Sequence, residues 1–165
     1  MKVVVFSDAH GSRVLVERII SFNPDADYFI SLGDSELSLD FLLDLDIIPI
    51  KGNYPRDAGL AYDKVLKIEG KKIYLTHGHK YGVHKSLMKL LKYVLSQDFD
   101  LVLYGHTHIA RVDYINEMLI MNPGSIKSPR SKTAPSYLIL NVTKDKITYT
   151  FKEAETNMTI EKLSS

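Results

Sequence analysis

The first fifty residues alternate between short apolar runs and segments whose apolar positions repeat at helical spacing. The runs are rich in β-branched residues and carry few polar side chains, which is typical of strands covered on both faces. They lie at 2–6, 27–32 and 47–50. The segments 11–22 and 35–45 place apolar residues three or four positions apart, which predicts two helices. The order is therefore βαβαβ, and Pro49 in the third run favours an edge or irregular strand.

Beyond residue 60 the pattern changes to paired strands joined by short turns. Alternating apolar positions predict hairpins over 64–76, 109–122 and 136–151. Their turns are expected at Glu69-Gly70, Asn116-Glu117 and Lys144-Asp145. A broad stripe of leucine and valine predicts a helix over 83–95, and 101–104 is a further buried strand. The polar segment from Glu153 is expected to be weakly ordered or an edge strand.

The two halves together predict an α/β fold. A βαβαβ start followed by hairpins suits either two mixed sheets or one mixed sheet, flanked by helices. The length of 165 residues suits a single domain over 1–165 with one sizeable core.

Composition narrows the classes of partner. The formal net charge is +1, so the chain lacks the basic balance of a protein that binds nucleic acid or acidic membranes tightly. The absence of cysteine excludes disulfides and thiolate metal sites, so any metal ligand must be nitrogen or oxygen. The amino-terminal apolar run is too short for a signal peptide, and no run approaches a membrane span. We therefore expect a soluble, cytoplasmic protein, with a homo-oligomer left open.

Side chains that can ligate metal follow five of the predicted strands. In chain order they are Asp8 and His10, Asp34, Asn53, His77 and His79, and His106 and His108. Four of the five groups contain glycine, and five of the six histidines lie in them. Ligand sites of open α/β sheets form at the carboxyl ends of strands. Each group alone also fits a helix cap, a turn or a solvated loop. All five at equivalent positions indicate a metal centre.

The ordered set Asp-x-His, Gly-Asp, Gly-Asn, His and Gly-His-x-His resembles the signature of calcineurin-like metallophosphoesterases. The short length, the "SDAHG" at 7–11, the "THGH" at 76–79 and the "NPGS" at 122–125 are similar to the small prokaryotic phosphodiesterase branch. The resemblance extends from Lys2 to about Phe151. It implies a four-layer α/β/β/α sandwich with two mixed sheets. It also implies a phosphodiesterase that acts on small phosphoester substrates.

The resemblance further implies a centre of two divalent ions. One ion would take Asp8, His10, Asp34 and His108, and the other Asp34, Asn53, His77 and His106. Asp34 is the natural shared ligand, because a carboxylate offers two oxygens and a histidine one free nitrogen. We infer that a hydroxide bridging the ions attacks phosphorus in line. Mixed nitrogen and oxygen ligation suits manganese, iron, nickel or zinc, and the resemblance favours manganese.

The pattern departs from many family members directly after Gly52-Asn53, where they carry a histidine and this chain carries Tyr54. A phenol with a pKa of about 10 is a poor proton donor at neutral pH. His79 is a candidate for that catalytic role or for bracing a metal ligand, whereas His84 is expected at the surface. The segment Asn122–Ser125 reads as a turn more readily than as catalytic, and 128–132 as a solvated basic loop.

Other functions remain open on the sequence alone. A phosphomonoesterase would differ only in whether a second ester group of the substrate fits the cleft. A non-catalytic scaffold is also possible, because the fold is similar to a eukaryotic retromer subunit that works chiefly through protein contacts. The complete ligand set favours an enzyme over that scaffold. Neutral charge and short length argue against a DNA-repair nuclease of the same superfamily.

Overall fold

The computed structural model describes residues 1–55 and 59–163 and contains ten strands and three α-helices. In chain order the strands are β1 (Lys2–Phe6), β2 (Tyr28–Ser31), β3 (Ile47–Pro49), β4 (Asp63–Ile68), β5 (Lys71–Thr76), β6 (Leu101–Tyr104), β7 (Ala110–Ile115), β8 (Met118–Pro123), β9 (Ser136–Val142) and β10 (Ile147–Glu153). The helices are α1 (Arg13–Phe22), α2 (Leu39–Asp44) and α3 (Met88–Val94).

The strands form two mixed sheets of five. One sheet has the order β10-β9-β1-β2-β3, with β1, β2 and β3 parallel. The other has the order β4-β5-β6-β8-β7, with β5, β6 and β8 parallel. The hairpin pairs β4–β5, β7–β8 and β9–β10 are antiparallel, and so is the long-range pair β1–β9. The predicted α/β class with two mixed sheets is confirmed.

Successive side chains of the central strands point to opposite faces of their sheet, and this produces four layers. In β1, Val3 and Val5 pack into the core between the sheets, whereas Val4 and Phe6 pack against α1 and α2. In β6, Leu103 enters the same inter-sheet core and Val102 packs beneath α3. Strands buried on both faces therefore hold the two sheets together and carry helices on their outer sides.

The hairpins form where the sequence predicts them. Glu69 and Gly70 have φ of 51° and 81°, and Asn116 and Glu117 have φ of 48° and 66°. Two successive left-handed residues match the turn that the right-handed twist of a two-residue hairpin requires. Pro49 lies on β3 at the edge of its sheet, as expected.

Two helices are shorter than predicted. The predicted helix at 35–45 begins only at Leu39, because Ser38 caps it by accepting a hydrogen bond from the Phe41 amide (3.3 Å). The predicted helix at 83–95 begins only at Met88. Ahead of it, Gly82 has φ of 65°, and the amides of Lys85 and Ser86 bond to its carbonyl. The apolar spacing therefore predicts both helices correctly but places their first residues too early in the chain.

The chain does not fray after β10. Lys152 pairs antiparallel with Thr159, Ala154 is fully buried, and Ile160 and Leu163 pack against the inter-sheet core. The expectation of a weakly ordered end is therefore wrong through Leu163, and the alternative of an edge strand is closer. Among the described residues, no helix is long and apolar enough to cross a membrane.

Candidate metal centre

The chain segments that follow β1, β2, β3, β5 and β6 meet at one end of the sandwich. After β1 and β2, the His10 amide donates to the Asp34 carbonyl (3.1 Å). After β5 and β6, the Gly105 amide donates to the His77 carbonyl (3.2 Å). The two sheets are joined here, because the His106 amide donates to Asp8 Oδ2 (3.1 Å). The five groups that the sequence singled out therefore adjoin one another.

Five of the predicted ligands have left-handed backbones. Their φ values are 54° at Asp8, 42° at His10, 46° at Asp34, 69° at His106 and 60° at His108. This conformation costs an L-residue roughly 1–2 kcal/mol. It turns each chain sharply out of its strand, which points the side chain toward the centre instead of across a sheet. Backbone strain of this kind concentrates at functional sites.

Glycine permits the close approach of these turns. A Cβ on Gly52 would overlap Oδ1 and the backbone nitrogen of Asp34. A Cβ on Gly105 would overlap Ser7 Oγ and lie 3.2 Å from Asp8 Oδ2. Neither position has room for a side chain, so glycine is required here for space.

Asp8 lies at the middle of the centre and is fully buried. Its Oδ2 accepts hydrogen bonds from Ser7 Oγ (2.6 Å) and from the His106 amide (3.1 Å). Its Oδ1 accepts none among the described residues. Instead three imidazole nitrogens surround Oδ1: Nε2 of His108, His77 and His10 lie at 3.2, 3.9 and 4.0 Å. A buried carboxylate oxygen without a donor is costly, and a cation among these atoms would stabilise it.

Each of these three imidazoles is held by its other nitrogen. Nδ1 of His77 donates to the Leu32 carbonyl (2.6 Å), and Nδ1 of His108 donates to the Ser128 carbonyl (2.7 Å). His10 Nδ1 lies 2.7 Å from Glu36 Oε1. An acceptor at Nδ1 fixes the proton there and leaves the Nε2 lone pair directed at the centre. This is the usual arrangement of metal-bound histidine.

Two triads of side chains have the spacing of metal ligands. Asp8, His10 and His108 form one, and Asp8, Asp34 and His77 form the other, with ligand atoms within 4.8 Å of one another in each. Asp8 is common to both triads, and Asp34 belongs to the second. Asp34 is anchored on one side, because its Oδ1 accepts a hydrogen bond from the Tyr54 amide (2.9 Å).

The electrostatics of the centre keep Asp34 ionised. Burial by itself would raise the pKa of Asp34, but His77 and the Tyr54 amide outweigh burial and lower it to about 2. Burial would likewise lower the pKa of His77 and of His108. The carboxylates of Asp34 and Asp8 outweigh it at His77, and Asp8 outweighs it at His108, so both values are raised. Burial and the nearby His77 lower the pKa of His106 to about 4.

The other candidates border the triads. Asn53 is exposed, and its Oδ1 lies 3.2 Å from His77 Nε2. The His106 ring lies 5.1 Å from the His77 ring, outside both triads. The His79 ring lies 5.4 Å from that of His77, and its Nδ1 is buried without a hydrogen-bond partner among the described residues. His84 is exposed as expected, but its ring also lies 5.5 Å from that of His106.

Several residues that position the ligands were missed by the sequence reasoning. Ser125 Oγ donates to the Asp8 carbonyl (2.8 Å) and itself accepts from the amides of Lys127 (3.2 Å) and Ser128 (2.9 Å). The loop at 128–132 supports His108 through the Ser128 carbonyl and the Arg130 amide (3.1 Å to the His108 carbonyl). The "NPGS" motif was the available signal, since a buried polar turn after a strand has to bond something.

Replacement of Asn122 by alanine is expected to weaken metal binding. Asn122 is fully buried, and its Nδ2 donates to the Gly105 carbonyl (2.9 Å) and to Thr107 Oγ1 (3.1 Å). Its loss would free the turn that carries His106 and His108 and lower metal affinity by about 10- to 100-fold. Metal titration and thermal melting of Asn122→Ala test this, with exposed Asn141→Ala as the control. Unchanged affinity in a folded Asn122→Ala variant would contradict it.

Known sequences that are similar to this chain belong to one family of phosphoesterases. The family model for the calcineurin-like phosphoesterase superfamily domain matches residues 1–145. The probable metallophosphoesterase YsnB of Bacillus subtilis is 30% identical over 158 residues, which cover 95% of this chain and 94% of the relative. The phosphodiesterase YfcE of Escherichia coli is 25% identical over 169 residues, covering 86% and 88% of the two chains.

Comparison with solved structures supports the fold. The crystal structure of a predicted phosphoesterase from Streptococcus pneumoniae superposes with a TM-score of 0.89 at 28% identity, covering 99% of this chain and 95% of that one. Vps29 from Entamoeba histolytica, crystallised with zinc, superposes with a TM-score of 0.74 at 23% identity, covering 97% and 96%. At that identity the likeness to Vps29 concerns the fold alone.

Proposed function

The chain belongs to the calcineurin-like phosphoesterase superfamily, and from that premise we propose that it is a phosphodiesterase that uses two divalent metal ions. The observation that carries the proposal is the buried Asp8 Oδ1, which accepts no hydrogen bond and faces the Nε2 atoms of three anchored histidines. The likeness to the phosphodiesterase YfcE supports diesters as substrates.

Each ion would be held by four side chains. One would take Asp8, His10, Asp34 and His108, and the other Asp34, Asn53, His77 and His106. The two triads of Asp and His contain five of these seven residues; the triads share Asp8, and this division shares Asp34. Asn53 and His106 complete the second set from positions beside His77. Manganese is the proposed metal, with iron, nickel and zinc as the other metals that suit these ligands.

When bound, divalent ions supply Lewis acidity: they lower the pKa of water and draw charge from phosphoryl oxygens. The protein's own residues would orient the substrate and supply a proton to the leaving group. The anchored imidazoles and the buried carboxylates hold the centre rigid. His79 lies beside His77 with a free Nδ1, and burial with the charge of His77 lowers its pKa. We assign His79 to a contact with the substrate or to protonation of the leaving group, because Tyr54 is poorly suited to that role; the lowered pKa of His79 confines proton donation to acidic pH.

The test is a panel of activated mono- and diesters assayed with manganese, iron, nickel and zinc. Diester hydrolysis that requires one of these metals is the expected result. Asn53→Ala should lower kcat/KM by about 10- to 100-fold without unfolding the protein, because Asn53 is exposed. The surface variant Asn141→Ala is the control. Full activity of Asn53→Ala across the panel would refute the ligand assignment.

The panel also separates the alternatives. Monoester hydrolysis without diester hydrolysis would identify a phosphomonoesterase. Absence of both activities with every metal, in protein that retains no metal, would favour a non-catalytic scaffold of the same fold. The small phosphoester substrate is the proposed partner, and no stable binding to nucleic acid is expected.

Metal binding should release protons near neutral pH. In the metal-free protein the pKa values of His77 and His108 are raised, so both imidazoles keep a proton to higher pH than a free histidine. A metal ligand must be deprotonated, so apparent affinity should fall as pH decreases through this range. Asp34 and His106, with pKa values of about 2 and about 4, are already deprotonated and release nothing. Calorimetric titration in buffers of different ionisation enthalpy measures the proton count, and zero release at pH 6.5 would contradict this prediction.

A further inference from the structure

We propose that a cavity beside the centre binds a second anionic group of the substrate, so that preferred substrates carry another phosphate close to the scissile ester. The inference rests on the proposed phosphodiesterase function and goes beyond it by naming a substrate class. The cavity lies between the turn at 106–109 and the segment at 83–87 that precedes α3.

The cavity borders the metal centre directly. Thr107 lines it and stands between His106 and His108 in the chain. His84 also lines it, and its ring lies 5.5 Å from the ring of His106. Arg130 also lines it, and its amide donates to the His108 carbonyl (3.1 Å). A substituent that projects from phosphorus past these histidines would enter the cavity.

The size of the cavity suits part of a small molecule. Its volume is about 320 Å³, at the lower end of the range for ligand sites. Its apolar wall consists of Val83, Leu87, Tyr104 and Ile109. Such a wall accommodates a short carbon linker.

The polar wall is basic. The side chains of His84, Lys85, Arg111 and Arg130 line the cavity, and no carboxylate of the residues 1–55 and 59–163 does. Arg111 is neutralised by Asp113, to which its guanidinium donates two hydrogen bonds (2.7 and 2.9 Å). Lys85 and Arg130 have no salt-bridge partner within 4.0 Å in the part of the chain that the structure describes. Two uncompensated cations next to a phosphoester centre would favour a second anion.

A hydroxyl adds a neutral donor. Thr107 Oγ1 accepts hydrogen bonds from Asn122 Nδ2 (3.1 Å) and from the Ile109 amide (3.2 Å). Both bonds use the oxygen as acceptor, so the hydroxyl proton is available for a ligand. The Arg130 guanidinium can make a paired contact with phosphate, and Lys85 acts as a point charge. The combination matches the acceptor oxygens of a phosphate group.

The test compares two diesters that differ only in the second anion. Both carry a p-nitrophenyl leaving group; the other ester group is 2-phosphoethyl in one and 2-methoxyethyl in the other. The wild-type protein should prefer the 2-phosphoethyl diester by about ten-fold or more in kcat/KM. The double variant Lys85→Gln/Arg130→Gln should bring that preference close to one, mainly through KM. Lys92→Gln, on the exposed side of α3, should keep it.

A binding measurement distinguishes failure of this inference from failure of the proposed function. Propane-1,3-bisphosphonate should bind zinc-loaded wild-type protein more tightly than propylphosphonate, and the double variant should lose the difference. This readout needs no turnover, so it applies even if neither diester is hydrolysed. Equal affinity for the two phosphonates, or a substrate preference that the double variant leaves unchanged, would overturn the inference.

Discussion

Asp8→Asn should abolish metal-dependent hydrolysis, with a loss of at least about a thousand-fold, while the metal-free fold keeps or gains stability. The activity is lost because Asp8 is common to both ligand triads and supplies a full negative charge. The fold is retained because the amide is isosteric. Its oxygen can still accept from Ser7 Oγ and the His106 amide. At pH above the raised pKa of His108, its NH₂ group can donate to His108 Nε2, which lies 3.2 Å from Oδ1 in the wild type.

The measurement combines kinetics with melting of chelator-treated protein. Burying a carboxylate with one unbonded oxygen costs free energy, and the substitution removes that cost. Asp145→Asn, in the exposed β9–β10 turn, is the matched control and should change neither quantity. Activity within ten-fold of the wild type, or a markedly lower melting temperature of metal-free Asp8→Asn, would show that Asp8 does not have the role proposed here.

Gly52→Ala should inactivate the protein and destabilise it by about 2–3 kcal/mol, at the upper end of the cost of overpacking. The added methyl group would overlap the Asp34 backbone nitrogen, which no change of rotamer can relieve. The segments after β2 and β3 must then separate, and this displaces Asp34 and Asn53 from each other. A single methyl group thereby misplaces two proposed ligands of the same ion.

Gly70→Ala is the control for this glycine. It lies in the β4–β5 turn with φ of 81° and has nothing within 4 Å of an added Cβ. Its cost is the left-handed backbone alone, about 1–2 kcal/mol, and activity at low temperature should be unaffected. Chemical denaturation and kinetics of both variants distinguish the effect of steric overlap from the effect of a left-handed backbone. If Gly52→Ala behaved like Gly70→Ala in both assays, close packing at Asp34 would not matter to the centre.

Much of the fold was predictable because the periodicity of buried strands is unambiguous. The alternation of Val3 and Val5 with Val4 and Phe6 places β1 between two layers, and the turn residues at 69–70 and 116–117 mark their hairpins. The helix starts were not predictable from apolar spacing. The first turn is set by capping and by glycine, as Ser38 and Gly82 show, and apolar periodicity does not report these effects.

The identity of the candidate ligands could be predicted, but their arrangement could not. Position after a strand was enough to single out Asp8 or His77, because carboxyl ends of parallel strands converge. The sharing of Asp8 between two triads depends on left-handed turns that bring β1 and β6 together, and no local pattern encodes that distance. The support from Asn122 and Ser125 joins residues far apart in the chain, and only the assembled fold shows it.

The five left-handed ligand positions also bear on how long the protein would survive in a cell. They cost the chain stability whether or not metal is present, and binding of the proposed metal would offset part of that cost. Metal-starved molecules would open locally more often, and such openings are where proteases cut. The supply of metal would then set the rate of turnover of the protein, so that its abundance, as well as its activity, would follow the metal content of the cell.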